Sequence, residues 1–217
     1  MPTKWNVSPK EAVEIQHRLR DKIRLIPLEK KIKAIAGADV SMDLFGNTLY
    51  AGIIVLKFPS LETVEVVTAK TETNFPYIPG LLSFREIPAL LKCVEKLSTK
   101  PDVFMVDGQG IAHPRRLGIA SHLGVELGIP TIGVGKSVLY GKTEGERLID
   151  PKSCEIIGSV IKTKPRTNPL IVSPGHLITL EESVEIVRNT LSGYKLPEPT
   201  RRAHSLVNDF RKGIINS

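Results

Sequence analysis

Val103-Phe104-Met105-Val106-Asp107-Gly108-Gln109-Gly110-Ile111-Ala112-His113-Pro114-Arg115-Arg116 is a short apolar run that carries one carboxylate into a glycine-rich turn, with a histidine and two arginines behind it. An apolar run bounded by a turn in this way reads as a strand buried on both faces. Asp107 then stands at the carboxyl end of that strand, where α/β folds place ligand and metal chemistry. An aspartate capping a turn is the plainer explanation for one acid in this position. Among so many cations, the acid gains a further use when a doubly charged ion bridges it to phosphate.

Working outward, Ser8-Pro9-Lys10-Glu11 has the form of a capping box with proline at the first helical position. Ala12, Ile15, Leu19 and Ile23 follow at helical spacing, so the chain opens with an amphipathic helix. Residues 33–41, 49–58 and 62–73 read as three strands joined by the turns Phe45-Gly46-Asn47 and Pro59-Ser60, too short for anything but antiparallel pairing. A helix near 84–98 leads into the strand at 102–107, and a second near 116–127 leads into a strand at 130–134, which makes parallel neighbours. Residues 155–163 and 169–173 read as a later strand pair, and helices at 180–192 and 200–212 close the chain. No repeat or linker interrupts residues 1–217, so one domain is expected.

Three antiparallel strands followed by alternating helix and strand is the order of the ribonuclease H-like fold. The expected class is therefore α/β, a mixed central sheet flanked by helices. Asp39, in the first strand, and Asp107, at the end of the fourth, become neighbours in that architecture. Converging carboxylates repel unless a hard cation lies between them, and Mg²⁺ takes oxygen ligands while leaving positions for substrate phosphate.

Composition narrows the partners. Lys and Arg outnumber Asp and Glu by 30 to 23, a net charge of +7 with a pI near 9.4, which favours an anionic partner. Cys93 and Cys154 lack CxxC spacing, so neither a disulfide framework nor a zinc site is indicated and a reducing setting fits. The N-terminus has no apolar signal core and no stretch is long enough to span a bilayer. A soluble, unsecreted, cytoplasmic protein is expected. Gly133-Val134-Gly135-Lys136-Ser137 imitates a P-loop, but the required glycine at 130 is Pro130, which excludes that ATPase motif.

GADVSM at 37–42, FPYIPGLLSFRE at 75–86, VDGQGIAHPRRLGIASHLG at 106–124, PTIGVGKS at 130–137, VSPGH at 172–176 and PEPTRRAH at 197–204 together resemble the endonuclease V family. The resemblance implies a ribonuclease H-like nuclease that uses Mg²⁺, with Mn²⁺ as a candidate substitute, and recognises deoxyinosine. It implies hydrolysis of the second phosphodiester bond 3′ to that base, leaving 3′-hydroxyl and 5′-phosphate ends, by a monomer acting on DNA.

By position, the family's metal cluster falls on Asp39, Glu86 and Asp107, with a further active-site histidine at His204. Glu86 also completes a capping box with Ser83, yet Pro88 suits the first helical position better and would leave Glu86 outside the helix, facing the metal. Thr200 is the expected N-cap of the last helix, so Arg201 and Arg202 would oppose the macrodipole, an arrangement that points to phosphate. Tyr77, in Phe75-Pro76-Tyr77-Ile78-Pro79-Gly80, is the expected wedge for opening a duplex. Backbone N–H donors in a tight turn select the hypoxanthine carbonyl, and Gly80 and Gly108 permit such close approach. The resemblance places Gly80, Leu82, Gly108, Ile119 and Leu139 around the extruded base, although core packing accounts equally well for the three aliphatic residues. Lys136, His113, Arg115 and Arg116 are expected against the nucleic-acid backbone, and Lys162, Lys164 and Arg166 form a further basic loop.

Three other functions compete. A noncatalytic inosine-binding protein would have lost one of the acids at 39, 86 and 107, and none is lost. A junction resolvase would need a dimer surface, and the wedge loop argues instead for damaged-base recognition. An inosine-specific endoribonuclease differs only in contacts to the 2′-hydroxyl, which leaves inosine-containing RNA as an alternative substrate.

Overall fold

The computed structural model describes residues 3–43 and 46–215. Helix α1 (Pro9–Arg20) starts as its capping box demands: Ser8 Oγ accepts from the Glu11 N–H, and the Glu11 carboxylate accepts from the Ser8 N–H at 2.8 Å. Its apolar face buries Ala12, Ile15 and Leu19, and with them the polar Gln16. The helix stops at Arg20, short of Ile23.

Strands β1 (Ala34–Met42), β2 (Thr48–Lys57) and β3 (Thr63–Glu72) form the expected antiparallel meander, with Asp39 opposite Gly52. Phe45, in the first expected turn, lies outside the described residues. Helix α2 (Leu82–Val94) leads to β4 (Val103–Asp107), which pairs parallel with β1 from Ile35↔Val103 to Ala38↔Val106. That register brings the chain positions of Asp39 and Asp107 to one rim. Helix α3 (Ile119–Leu127) leads to β5 (Thr131–Gly135), parallel to β4.

Beyond β5 the sheet becomes antiparallel again, through β6 (Lys142–Glu144), β7 (Arg147–Ile149), β8 (Ile156–Ile161) and β9 (Leu170–His176). The strand order is β3-β2-β1-β4-β5-β9-β8-β7-β6. This is the mixed, helix-flanked sheet expected of the ribonuclease H-like class. The β6–β7 hairpin has no counterpart in the sequence expectation, because two three-residue strands with one buried side chain between them carry no usable alternation.

Alternation along the central strands divides the core. Ala36, Ala38, Phe104 and Val106 pack against Ile87 and Leu90 of α2 and Leu123 of α3. Ile35, Val103 and Met105 pack on the other face with Ile186 and Val187 of α4 (Leu180–Asn189) and Ala203 of α5 (Glu198–Arg211). No described helix is long and apolar enough to cross a membrane.

Two helix starts differ from expectation. The N-cap of α2 is Leu81, without a side-chain cap, so Ser83 and Glu86 form no capping box and Pro88 sits inside the helix. Proline there forfeits one backbone bond, but its neighbours Ile87, Ala89 and Leu90 are fully enclosed, and that burial outweighs the loss. Helix α5 begins three residues earlier than a Thr200 cap requires: its N-cap is Pro197, and Thr200 Oγ1 donates back to the Pro197 carbonyl at 3.2 Å. Arg201 and Arg202 are consequently not free cations opposing the dipole. Both pair at 2.6 Å with Glu198, the buried first residue of the helix, so they no longer point to phosphate.

Glycines in β1 and β2 let α5 lie directly on the sheet. A Cβ on Gly37 would stand 1.9 Å from the Pro199 carbonyl oxygen, and one on Gly52 would stand 2.8 Å from Val207 Cγ1. Because the Pro199 contact is backbone, it has no rotamer by which to retreat. Gly37→Ala is expected to lower unfolding free energy by about 1–3 kcal/mol, read from urea midpoints; an unchanged midpoint would mean that α5 is not seated this tightly.

Candidate active site

The close seating of α5 puts His204 over the rim where β1 and β4 end. Asp39 is buried there, with Oδ1 accepting from the Val40 N–H at 2.8 Å and Oδ2 lying 2.8 Å from His204 Nδ1. Asn208, one turn further along α5, places its Nδ2 3.2 Å from His204 Nε2. With that amide donating, the imidazole keeps its proton on Nδ1 and donates it to Asp39. One ligand atom each from Asp39, Asp107 and His204 lie within 4.8 Å of one another.

Electrostatics show the strain of this arrangement. Burial, then the Asp39 and Asp107 carboxylates, push the Glu86 carboxyl up to about 8. Burial and Asp39 also raise Asp107, against the pull of Lys136, whose ammonium forms an ion pair with it. The hydrogen bond to Asp39 raises His204 despite desolvation. The cluster therefore holds protons and recruits a lysine, the response expected of acids crowded together without enough positive charge. Two carboxylates and an imidazole converging within 4.8 Å, with a third carboxyl beside them, suit a divalent cation. Glu86 lies inside α2 rather than ahead of it, and it lines the same cavity without joining the tightest group.

That cavity, about 390 Å³, is lined by the candidate metal, catalytic and base-contacting residues Asp39, Tyr77, Gly80, Leu82, Glu86, Asp107, Gly108, His113, Ile119, Lys136, Leu139 and His204, while the expected backbone contacts Arg115 and Arg116 and the basic loop at Lys162, Lys164 and Arg166 do not line it. Tyr77 is 63% exposed at the loop tip, as a wedge requires. Leu139 is 44% exposed, so core packing does not account for it, whereas Ile119 is buried. Gly108 has φ +147°, and a Cβ there would stand 2.5 Å from Ile119 Cγ2. Only glycine passes between Asp107 and the apolar wall.

The basic residues expected along the nucleic-acid backbone each have a partner within the protein. His113 is buried with Nε2 2.9 Å from the Gly80 carbonyl, Arg115 Nη2 donates to that same oxygen, and Arg116 pairs with Asp150 at 2.9 Å and with Glu155. Lys136 is turned onto Asp107. Sequence reasoning also missed Gln109, whose Nε2 donates to the Ser137 carbonyl at 2.9 Å and ties the Asp107 turn to the Lys136 loop. Its only sequence trace is Gly135, where a Cβ would meet that amide at 2.0 Å.

The sequence profile of the Endonuclease V family matches residues 17–205, a span that contains both aspartates, Glu86 and His204. The chain belongs to the endonuclease V family. It is 46% identical to endonuclease V of Trichormus variabilis, over 96% of this chain and 97% of that one. Endonuclease V of Streptomyces avermitilis superposes with a TM-score of 0.87 at 35% identity, covering 99% and 97% of the two chains. Endonuclease V of Ciona intestinalis, in complex with a 23mer DNA containing an inosine followed by a ribo-adenosine, superposes with a TM-score of 0.88 at 28% identity, covering 96% and 100%. The protein is an endonuclease, and the acid-lined cavity is its candidate active site.

The raised groups all bind protons more tightly in the folded chain than in the unfolded one. Their contribution to stability is present below the ordinary values and is lost as pH climbs through the raised ones; for Glu86 that window runs from 4.5 to about 8. In metal-free buffer, urea unfolding should show wild type losing stability relative to Glu86→Gln across that window. A difference between the two that does not vary with pH would remove Glu86 as the titrating group.

Proposed function

We propose that this chain is a divalent-metal-dependent repair endonuclease that recognises deoxyinosine in DNA and hydrolyses the second phosphodiester bond on its 3′ side, leaving 3′-hydroxyl and 5′-phosphate ends. The observation that carries the reading is the convergence of Asp39, Asp107 and His204 at one end of a cavity whose other wall is the Tyr77 loop. Phosphate chemistry and base recognition then share one space. The inosine-containing DNA held by the Ciona relative supports the substrate class.

Asp39 and Asp107 would hold the metal, with Glu86 and His204 beside them. Bound Mg²⁺, or Mn²⁺ in its place, supplies positive charge for the scissile phosphate and Lewis-acid activation of water. The residues of the chain do the rest. Positive charge near Asp107 would free Lys136 from its ion pair, leaving the ammonium to meet a phosphate oxygen. His204 holds a proton at Nδ1 against Asp39, which fixes the ring above the cluster. Gly80 and Gly108 admit the edge of a purine to the backbone, Leu82, Ile119 and Leu139 offer apolar faces, and Tyr77 stacks into the gap left in the duplex. The excess of basic residues favours a polyanion, with affinity that falls as salt rises. The free thiols of Cys93 and Cys154 accord with a reducing, cytoplasmic setting.

A second reading also has support. In the Ciona complex a ribo-adenosine follows the inosine, which favours activity on inosine-containing RNA as well. Matched strands containing deoxyinosine, inosine or neither, incubated with Mg²⁺ and mapped for the cut, separate these substrates. Asp107→Ala should lower cleavage roughly a hundredfold or more, the scale of a lost charged group in a transition state; cleavage unaffected by it, or equal on all strands, overturns the reading. Tyr77→Ala should weaken cleavage of duplex about tenfold more than of single strand, since unstacking costs a few kcal/mol only in duplex. Equal losses on both would take the wedge role away from Tyr77.

A further inference from the structure

Gly80 ends the Tyr77 loop, and its carbonyl oxygen is the acceptor for three side chains at once. Gln16 Nε2 donates from α1 at 2.9 Å, His113 Nε2 lies at 2.9 Å, and Arg115 Nη2 donates at 2.8 Å. A carbonyl has two lone pairs, so these donors more than saturate it. Gln16 is completely enclosed and His113 is 2% exposed. Polar groups buried so deeply cost free energy unless they are bonded, which marks a built arrangement.

Each donor is fixed by another contact. His113 Nδ1 accepts from the Arg115 backbone N–H at 3.1 Å, which leaves the ring proton on Nε2, aimed at Gly80. Burial and Arg115 hold His113 down to about 4, so the ring stays neutral and its donor pattern constant near neutral pH. Arg115 Nε donates in turn to Gln16 Oε1, closing a ring of contacts around the carbonyl. The N–H of the same peptide, from Leu81, donates to the Ile78 carbonyl at 2.9 Å. With both its polar groups engaged, that peptide cannot flip to turn its oxygen toward the cavity.

Hypoxanthine and adenine differ along one purine edge: hypoxanthine carries a carbonyl acceptor at position 6 beside an N1–H donor, adenine an amino donor at position 6 beside a bare N1 acceptor. A free backbone acceptor opposite position 6 would welcome the adenine amino group and repel the hypoxanthine carbonyl. A cavity without one leaves the amino group buried and unpaired, and sites that strand a polar group discriminate strongly. We propose that Gln16, His113 and Arg115 are positioning residues that hold the Gly80 carbonyl out of the base cavity, so that amino-bearing purines find no acceptor and are rejected. The inference rests on the deoxyinosine reading above and adds to it the source of selectivity against the parent base.

The test compares single-turnover cleavage of oligonucleotides carrying deoxyinosine or deoxyadenosine at one position. Wild type, Gln16→Glu, the double variant Gln16→Leu/Arg115→Met, and Gln16→Leu/Arg115→Lys are measured with Mg²⁺. Gln16→Glu keeps the size and the Arg115 contact while removing a donor, so it remains informative if the double variant fails to fold. The deoxyinosine-to-deoxyadenosine ratio should fall at least tenfold in the double variant, fall measurably but less in Gln16→Glu, which keeps two donors, and return in part with Arg115→Lys, which restores one donor. Folded variants that lose both activities by one factor, or keep the wild-type ratio, overturn the clamp. A wild type that cuts both strands alike overturns instead the reading on which it rests.

Discussion

Repulsion between carboxylates that the backbone forces together is the constraint on which this structure turns. Parallel pairing of β1 with β4 runs up to Ala38↔Val106, the residues just before Asp39 and Asp107, and so fixes the chain positions of both acids by backbone hydrogen bonds. The acids cannot move apart without breaking the centre of the sheet. Burial and then their proximity raise the Glu86 carboxyl to about 8, and the crowded acids draw Lys136 onto Asp107 and His204 Nδ1 into a hydrogen bond with Asp39. A fold that only had to be stable would replace such a cluster with apolar side chains. Its retention at a cavity mouth is physically intelligible as a place kept for a cation.

Glycines translate this constraint into a site. Gly37 and Gly52 lower α5 onto the sheet and so bring His204 within reach of Asp39, while Gly108 and Gly135 let the Asp107 turn pass between Ile119 and the Lys136 loop. Close backbone approach at these points means that the clustered acids and the apolar wall of the cavity are packed as parts of one unit. The Tyr77 loop is held to the same unit through the Gly80 carbonyl, so that its tip is exposed while its root is immobile.

Much of this was legible before any coordinates. The capping box at Ser8, the antiparallel meander and the βαβ steps follow from local spacing, and strand-end acids at 39 and 107 follow from those steps. The start of α2 was misjudged because Pro88 was weighed by its backbone preference alone; enclosure of Ile87 and Leu90 outvotes that preference, and enclosure is a tertiary quantity. The start of α5 was misjudged for a related reason. Glu198, rather than a phosphate, answers Arg201 and Arg202, and a pairing within one helical turn competes with any external partner that charge alone suggests.

The sequence by itself determined the element order apart from the β6–β7 hairpin, and most of the residues that line the cavity, because residue type and spacing carry those directly. Only the tertiary structure decided which way each charged group faces. His113, Arg115, Arg116 and Lys136 look alike in sequence, as basic residues expected along the nucleic-acid backbone, yet each is turned onto an acceptor within the protein, His113 and Arg115 onto the same carbonyl. Long polar side chains reach several candidate partners from one backbone position. The choice among them depends on which acceptors the packing leaves buried, and that is settled between segments far apart in the chain, such as Gln16 and Gly80.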